Sequence, residues 1–324
     1  MYLNRRAILL SGLFEGTVSR AIAAPAKAVT NREVIDLWPK GPVGLTAPHL
    51  TEGSPAATNP PARRLTGITR PRLEVYRPAR PNGAAFLIIP GGGYRHVSVE
   101  LEGEQIARAC CDQGITAFVL IYRLPGEGWQ DAANVPLADA QRAMRIIRHR
   151  SKAYGIDPDR IGAIGFSAGG HLCGSLVTRS TDVVYKPVDD LDTLNTAPNL
   201  FAAIYPVVSM RPEIAHKGSA LLLLGKDPTP DQIVAYSVDE RVSSAAPPAF
   251  LVHAEDDPSV SVTHTLALRA ALKAHNVRVE THLFPTGGHG FGLKSSAPHW
   301  FDLFLRFLMR QGLLASADSK ANRS

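Results

Sequence analysis

Short segments rich in apolar, β-branched or aromatic residues fall over 73–76, 85–89, 117–122, 161–166, 201–208, 250–253 and 279–284, most of them continuously apolar, and each reads as a strand. Continuous apolar, β-branched or aromatic runs of this kind are what strands buried on both faces require, since neither face meets water. Between them the period lengthens. Leu137, Ala140, Met144 and Ile147 fall at helical spacing, as do Trp300, Leu303, Phe304 and Phe307, so each set lines one face of an amphipathic helix. Strands alternating with helices predict βαβ units and a mostly parallel central sheet flanked by helices. The stretch before the first run is different in texture: Trp38-Pro39-Lys40-Gly41-Pro42, Ser54-Pro55 and Asn59-Pro60-Pro61 are turn and breaker residues, and they predict irregular chain. The expected organisation is a leader over 1–26, an irregular segment over 27–70, one α/β domain over 71–314 and a disordered tail over 315–324.

Composition narrows the class. With 324 residues, 45% hydrophobic, 20% charged and a mean hydropathy of −0.03, the chain can bury a sizeable core and reads as neither disordered nor a membrane bundle. The net charge of +6 is spread among acids without a basic run or interleaved aromatics, which predicts no nucleic-acid partner and no stable membrane insertion. Cys110, Cys111 and Cys173 make no disulfide framework and read as small buried apolar residues. No Cys/His spacing suits a metal, so none is expected. At the amino end, Arg5-Arg6 precedes an apolar stretch ending Ala23-Ala24-Pro25-Ala26, the layout of an export signal of twin-arginine type. It predicts a periplasmic or secreted protein; the alternative is a cytoplasmic chain with an unstructured leader.

Chemistry is concentrated at the ends of the apolar runs. The run 161–166 leads into Gly165-Phe166-Ser167-Ala168-Gly169 and then an apolar helical pattern. A serine between glycines at a strand-to-helix turn is a nucleophile elbow, which lifts the hydroxyl above the sheet and aims the helix's positive end at developing negative charge. In a chain with 27 glycines the five-residue pattern alone is weak, and its weight comes from that context. The run 85–89 ends in Pro90-Gly91-Gly92-Gly93-Tyr94, where an oxyanion loop would lie, so N–H groups of Gly92 or Gly93 with that of Ala168 are candidates to hold a tetrahedral oxyanion. Loss of one such donor typically costs about 3 to 4 kcal/mol of transition-state stabilisation. Downstream come Glu255-Asp256-Asp257-Pro258 and then Gly287-Gly288-His289-Gly290. The order Ser, Asp, His makes Ser167 the candidate nucleophile, His289 the base and Asp257 its orienting carboxylate, with Asp256 and Glu255 as rivals for that last role. His171, His253 and His282 read as structural.

Taken together, Pro90-Gly91-Gly92-Gly93-Tyr94, Tyr122-Arg123-Leu124-Pro125, Asp157-Pro158-Asp159-Arg160-Ile161-Gly162, the elbow, Pro247-Pro248 and Gly287-Gly288-His289-Gly290-Phe291-Gly292 resemble the bacterial acetylxylan-esterase-like, BD-FAE-like α/β-hydrolases, often labelled xylanase or lipase. The likeness spans roughly 36–310. It implies an α/β-hydrolase fold without a large cap domain, and deacylation of carbohydrate esters by Ser167, Asp257 and His289 without metal or organic cofactor. Pro90 stands where the wider hormone-sensitive-lipase pattern has the histidine of His-Gly-Gly-Gly. The expected function is a serine carboxylesterase acting on short esters, acetyl groups on xylan-type oligosaccharides first, with Tyr94, Trp129 and Trp300 as candidate walls for a sugar ring. The alternatives are an exopeptidase or amidase, a lipase, and an inactive binding protein of the same fold. The acidic 180–200 segment, with Asp182, Asp189, Asp190 and Asp192, is too polar for a good lipase lid.

Overall fold

A computed structural model describes residues 33–47, 49–55, 62–294 and 298–314. The expected leader over 1–26 and tail over 315–324 lie outside these residues.

Eight strands form one sheet in the order β1-β2-β4-β3-β5-β6-β7-β8. They are β1 Glu33–Asp36, β2 Arg72–Tyr76, β3 Ala85–Ile89, β4 Thr116–Ile121, β5 Ile161–Phe166, β6 Leu200–Ile204, β7 Ala249–Ala254 and β8 Val279–Phe284. Pairings β1–β2 and β2–β4 are antiparallel, and the other five are parallel. The helices are α1 Gln105–Asp112, α2 Val135–Tyr154, α3 Ser167–Thr178, α4 Lys217–Leu224, α5 Pro230–Tyr236, α6 Thr263–Ala274 and α7 Trp300–Arg310. Every residue of β3, β4, β5, β6 and β7 is buried, as their unbroken apolar runs require. The chain runs from β3 out to β4, then crosses back over β3 to β5. The connections on the two sides of β3 therefore diverge, and a crevice opens at the carboxyl ends of β3 and β5, where open α/β sheets place their ligands.

The strand β1 corrects the expectation of irregular chain over 27–70. Only Ile35 of its four residues faces the core, so it shows no apolar run; it is an edge strand specified by its pairing with β2. Leu37 and Trp38 follow it into the core. The run 201–208 likewise gives a strand only as far as Ile204, because Tyr205 turns to φ 39° and Pro206 has no N–H to donate. Cys110 and Cys173 are buried, and Cys111 is partly so. Among the described residues no helix is long and apolar enough to cross a membrane.

One buried polar cluster fastens the β1 end to the helical layer. Asp139 on α2, fully buried, accepts from the Trp38 indole N–H at 2.7 Å, the Arg123 backbone N–H at 2.9 Å and the Arg123 guanidinium at 2.7 Å. Removing one partner of a buried ion pair leaves the other charge desolvated and uncompensated. Asp139→Ala is therefore expected to lower unfolding stability by about 3–5 kcal/mol, read from urea melts; a loss below about 1 kcal/mol would remove the cluster as an anchor.

Candidate active site

The carboxyl end of β5 turns directly into α3 at Ser167, which adopts φ 51°, a conformation costly for a residue with a Cβ and characteristic of the nucleophile elbow. The turn is held from both sides: the Ser167 carbonyl accepts from Val207 N–H at 3.0 Å, and bare backbone packs against it. A Cβ at Gly91 would sit 2.5 Å from the Phe166 carbonyl oxygen and 2.8 Å from Ser167 Cβ, and one at Gly169 would sit 2.5 Å from the Pro90 carbonyl oxygen. The loop after β3 and the elbow after β5 can meet only because both positions lack side chains.

His289 Nε2 lies 2.9 Å from Ser167 Oγ, and its Nδ1 lies 2.6 Å from Asp257 Oδ2. A carboxylate only accepts, so Nδ1 carries the proton, and Nε2 of the neutral ring accepts from the serine hydroxyl. Asp257 is fixed independently. Its Oδ1 accepts from the backbone N–H groups of Ser259 at 2.8 Å and Val260 at 2.9 Å. Its Oδ2 lies 3.2 Å from His253 Nε2. Burial pushes this carboxyl upward, but hydrogen bonds from His253, His289 and Val260 outweigh it and hold the group well below the ordinary carboxylate range. The three rival acids are thereby separated. Asp257 meets the imidazole, Asp256 accepts from Gly288 N–H at 2.8 Å and ties down the loop carrying His289, and the Glu255 side chain is exposed.

Among the described residues none accepts a hydrogen bond from the N–H of Gly92, Gly93 or Ala168, whereas the carbonyls of Pro90, Gly91 and Gly92 are occupied. Tyr122 O–H donates to the Pro90 carbonyl at 2.8 Å, Ser98 N–H to that of Gly91 at 2.9 Å and Arg95 N–H to that of Gly92 at 3.0 Å.

The three aromatic residues expected to wall a sugar site are all in the core. Tyr94 is 2% exposed, Trp129 5% and Trp300 0%. Tyr94 donates to His171 Nδ1 at 2.8 Å, Trp129 lies beneath the Arg123 guanidinium, and the Trp300 indole donates to the Gly292 carbonyl at 2.8 Å while its ring packs on Phe166 and Phe304. Tyr94 and Trp129 lie in loops and Trp300 opens α7, and all three rings pack inward. Trp300 still bears on the site, since it holds the loop that carries His289. His253, His171 and the residues Glu102 and Tyr205 also belong to the surroundings. The last two were not singled out in the sequence, and no local pattern marks them.

His171 and His264 are buried, and burial first of all lowers each from the ordinary 6.5 to about 4. Both stay neutral in the fold while the unfolded chain gains protons below about 6.5, so stability is lost as pH falls from 6.5 toward 4. Each contributes a slope of up to about 1.4 kcal/mol per pH unit in that window. Urea midpoints measured from pH 7 to 4 are expected to fall less steeply in His171→Gln than in wild type; parallel slopes would contradict this assignment.

Comparison with known proteins agrees with this fold. The BD-FAE family matches residues 73–272 and the dienelactone hydrolase family matches 234–323. An acetylxylan esterase from Xylanibacter ruminicola is 34% identical over 241 residues, 73% of this chain and 46% of that protein. Endo-1,4-beta-xylanase B from Butyrivibrio fibrisolvens is 33% identical over 63% of this chain and 32% of its own. The chain thus spans less than half the length of these two curated relatives. A crystal structure of an acetyl ester-xyloside bifunctional hydrolase from Caldicellulosiruptor lactoaceticus, 34% identical, superposes with a TM-score of 0.73 over 90% of this chain and 100% of that one. With a family match across most of the sheet and a strand order that opens its crevice at the elbow, the chain belongs to the BD-FAE family of α/β-hydrolases.

Proposed function

We propose that this protein is a serine carboxylesterase that removes short acyl groups, acetate first, from xylan-type oligosaccharides. The observation that carries the reading is the continuous hydrogen-bonded line from Ser167 Oγ through His289 to Asp257, at 2.9 and 2.6 Å, beside backbone N–H groups that find no acceptor among the described residues. In the first half-reaction Ser167 Oγ attacks the ester carbonyl while His289 Nε2 takes its proton. The oxyanion that forms is held by N–H groups of Gly92 or Gly93 and of Ala168, reinforced by the positive end of α3. His289 then returns the proton to the departing alkoxide, giving the alcohol and an acyl-serine. Water enters by the same route in reverse, activated by His289, and releases the acid. Asp257, kept ionised by its donors, holds the Nδ1–H tautomer and balances the imidazolium of each transition state.

The substrate side rests on two supports. The relatives named above include an acetylxylan esterase and an acetyl ester-xyloside hydrolase. In addition, a cavity of about 270 Å³ lies beside Asp257, with His216, Ser259 and Ser261 in its lining, a polar lining that suits hydroxyl groups better than a long acyl chain.

Hydrolysis of p-nitrophenyl acetate, butyrate and ferulate esters beside acetylated xylan tests both parts. The expected result is release of acetate from dye and xylan, with kcat lowered by at least about 10⁴-fold in Ser167→Ala. A folded wild type silent on every ester would sink the esterase reading. Ferulate preferred over acetate would overturn the choice of acyl group.

A further inference from the structure

We propose that Glu102 is a positioning residue that ties the glycine loop after β3 to the imidazole of His289 through Tyr205. The inference rests on the serine-esterase reading and adds to it a residue outside the triad and the donor set.

Glu102 lies in a π-type turn, Glu100–Glu104, inserted before α1; such widened turns accompany functional positions because they re-aim a side chain out of helical register. Here the turn carries a carboxylate into the core, where only 5% of the residue remains exposed. Each oxygen has one donor. Oε2 accepts from Gly91 N–H at 2.8 Å and Oε1 from Tyr205 O–H at 3.0 Å. The first bond fixes the Pro90–Gly91 peptide, one residue ahead of Gly92 and two ahead of Gly93, whose own N–H groups are the candidate oxyanion donors. The second bond fixes a tyrosine whose ring meets the edge of His289 with centroids 5.0 Å apart and packs on Phe291, two residues further along the same loop, at 4.6 Å.

Tyr205 is itself over-determined. It is fully buried, its φ is 39°, and its N–H donates to the Val252 carbonyl at 2.7 Å. Strain of this kind persists only where the surroundings enforce it. One carboxylate thus links the two halves of the site that must move least during catalysis, the oxyanion donors and the general base. A buried carboxylate with an unfilled acceptor would be costly, so the bonds to Gly91 and Tyr205 are mutually required. Burial raises the Glu102 carboxyl, opposed by these two donors. The proposed role needs the two hydrogen bonds, whichever way the proton lies.

The test is steady-state hydrolysis of p-nitrophenyl acetate by wild type, Glu102→Ala, Glu102→Gln, Tyr205→Phe and the double variant Glu102→Ala/Tyr205→Phe, each checked for folding by circular dichroism and thermal midpoint. Small misplacement of reacting groups typically costs about 10²-fold, so a folded Glu102→Ala is expected to lose about that in kcat with KM within about threefold. Glu102→Gln keeps an oxygen for Gly91 and offers its amide N–H to the Tyr205 oxygen, and is expected to recover at least about tenfold of the loss. Tyr205→Phe should lose roughly three- to tenfold, and the double variant should be no slower than Glu102→Ala, because residues acting through one link are not additive. A folded Glu102→Ala with wild-type kcat, a change confined to KM, or additive losses in the double variant would overturn the inference. If Glu102→Ala fails to fold, Tyr205→Phe at wild-type kcat overturns it alone. Wild type inactive on every ester removes the esterase reading and this inference together, a result distinct from an active wild type insensitive to these changes.

Discussion

A side-chain carbon at position 91 would fall 2.5 Å from the Phe166 carbonyl oxygen, and one at position 169 would fall 2.5 Å from the Pro90 carbonyl oxygen. The loop after β3 and the turn after β5 can therefore lie against each other only as bare backbone, and this contact is the constraint around which the rest is arranged. It requires β3 and β5 to be neighbours, which the crossover from β4 provides, and it requires both strands to end at the same level of the sheet, which their parallel register from Ala85↔Ile161 to Ile89↔Gly165 sets. The close approach then presents Ser167, α3 and the glycine loop to one crevice. Strands β7 and β8 end on the same side of the sheet and bring Asp257 and His289 to it.

Electrostatics divides the crevice between two carboxylates with different surroundings. Asp257 accepts from two backbone N–H groups and two histidines, which overcome its burial and keep it ionised. It can therefore orient His289 and balance a positive imidazole without itself taking the proton. Glu102 sits deeper, with one donor on each oxygen and burial raising it. Its geometry serves position rather than charge. His171 and His253 complete the frame: His171 connects Tyr94 to the Tyr236 carbonyl, and His253 spans Thr265, the Val260 carbonyl and Asp257.

Much of this was legible in the sequence, for reasons that also explain what was not. Strands β3, β4, β5 and β7 are buried on both faces, so each leaves an uninterrupted apolar run. Strand β1 has one core-facing residue and leaves no trace above its Pro-rich surroundings. Ser167 and His289 stand out because tight turns at strand ends need glycine on either side. Asp257, Asp256 and Glu255 are adjacent, and only three-dimensional contact assigns the imidazole to one and Gly288 to another. Glu102 and Tyr205 are 103 positions apart and lie in segments whose local pattern is ordinary, so their pairing is invisible until the sheet is assembled. Tyr94 and Trp129 failed as sugar walls for a related reason: an aromatic residue in a loop carries no mark that tells a ligand face from a core face, whereas Trp300 opens α7 on the same apolar face as Phe304 and Phe307, a helical pattern that already pointed it inward.

The account turns on Ser167 as the atom that becomes acylated, and the most direct measurement is peptide-level mass spectrometry after reaction with a fluorophosphonate, compared between wild type and His289→Ala. The account predicts one phosphonyl adduct in wild type, on the peptide containing Ser167, forming at least about a hundredfold more slowly without the imidazole that takes the proton. An adduct on another residue, or labelling of Ser167 at the same rate without His289, would contradict it.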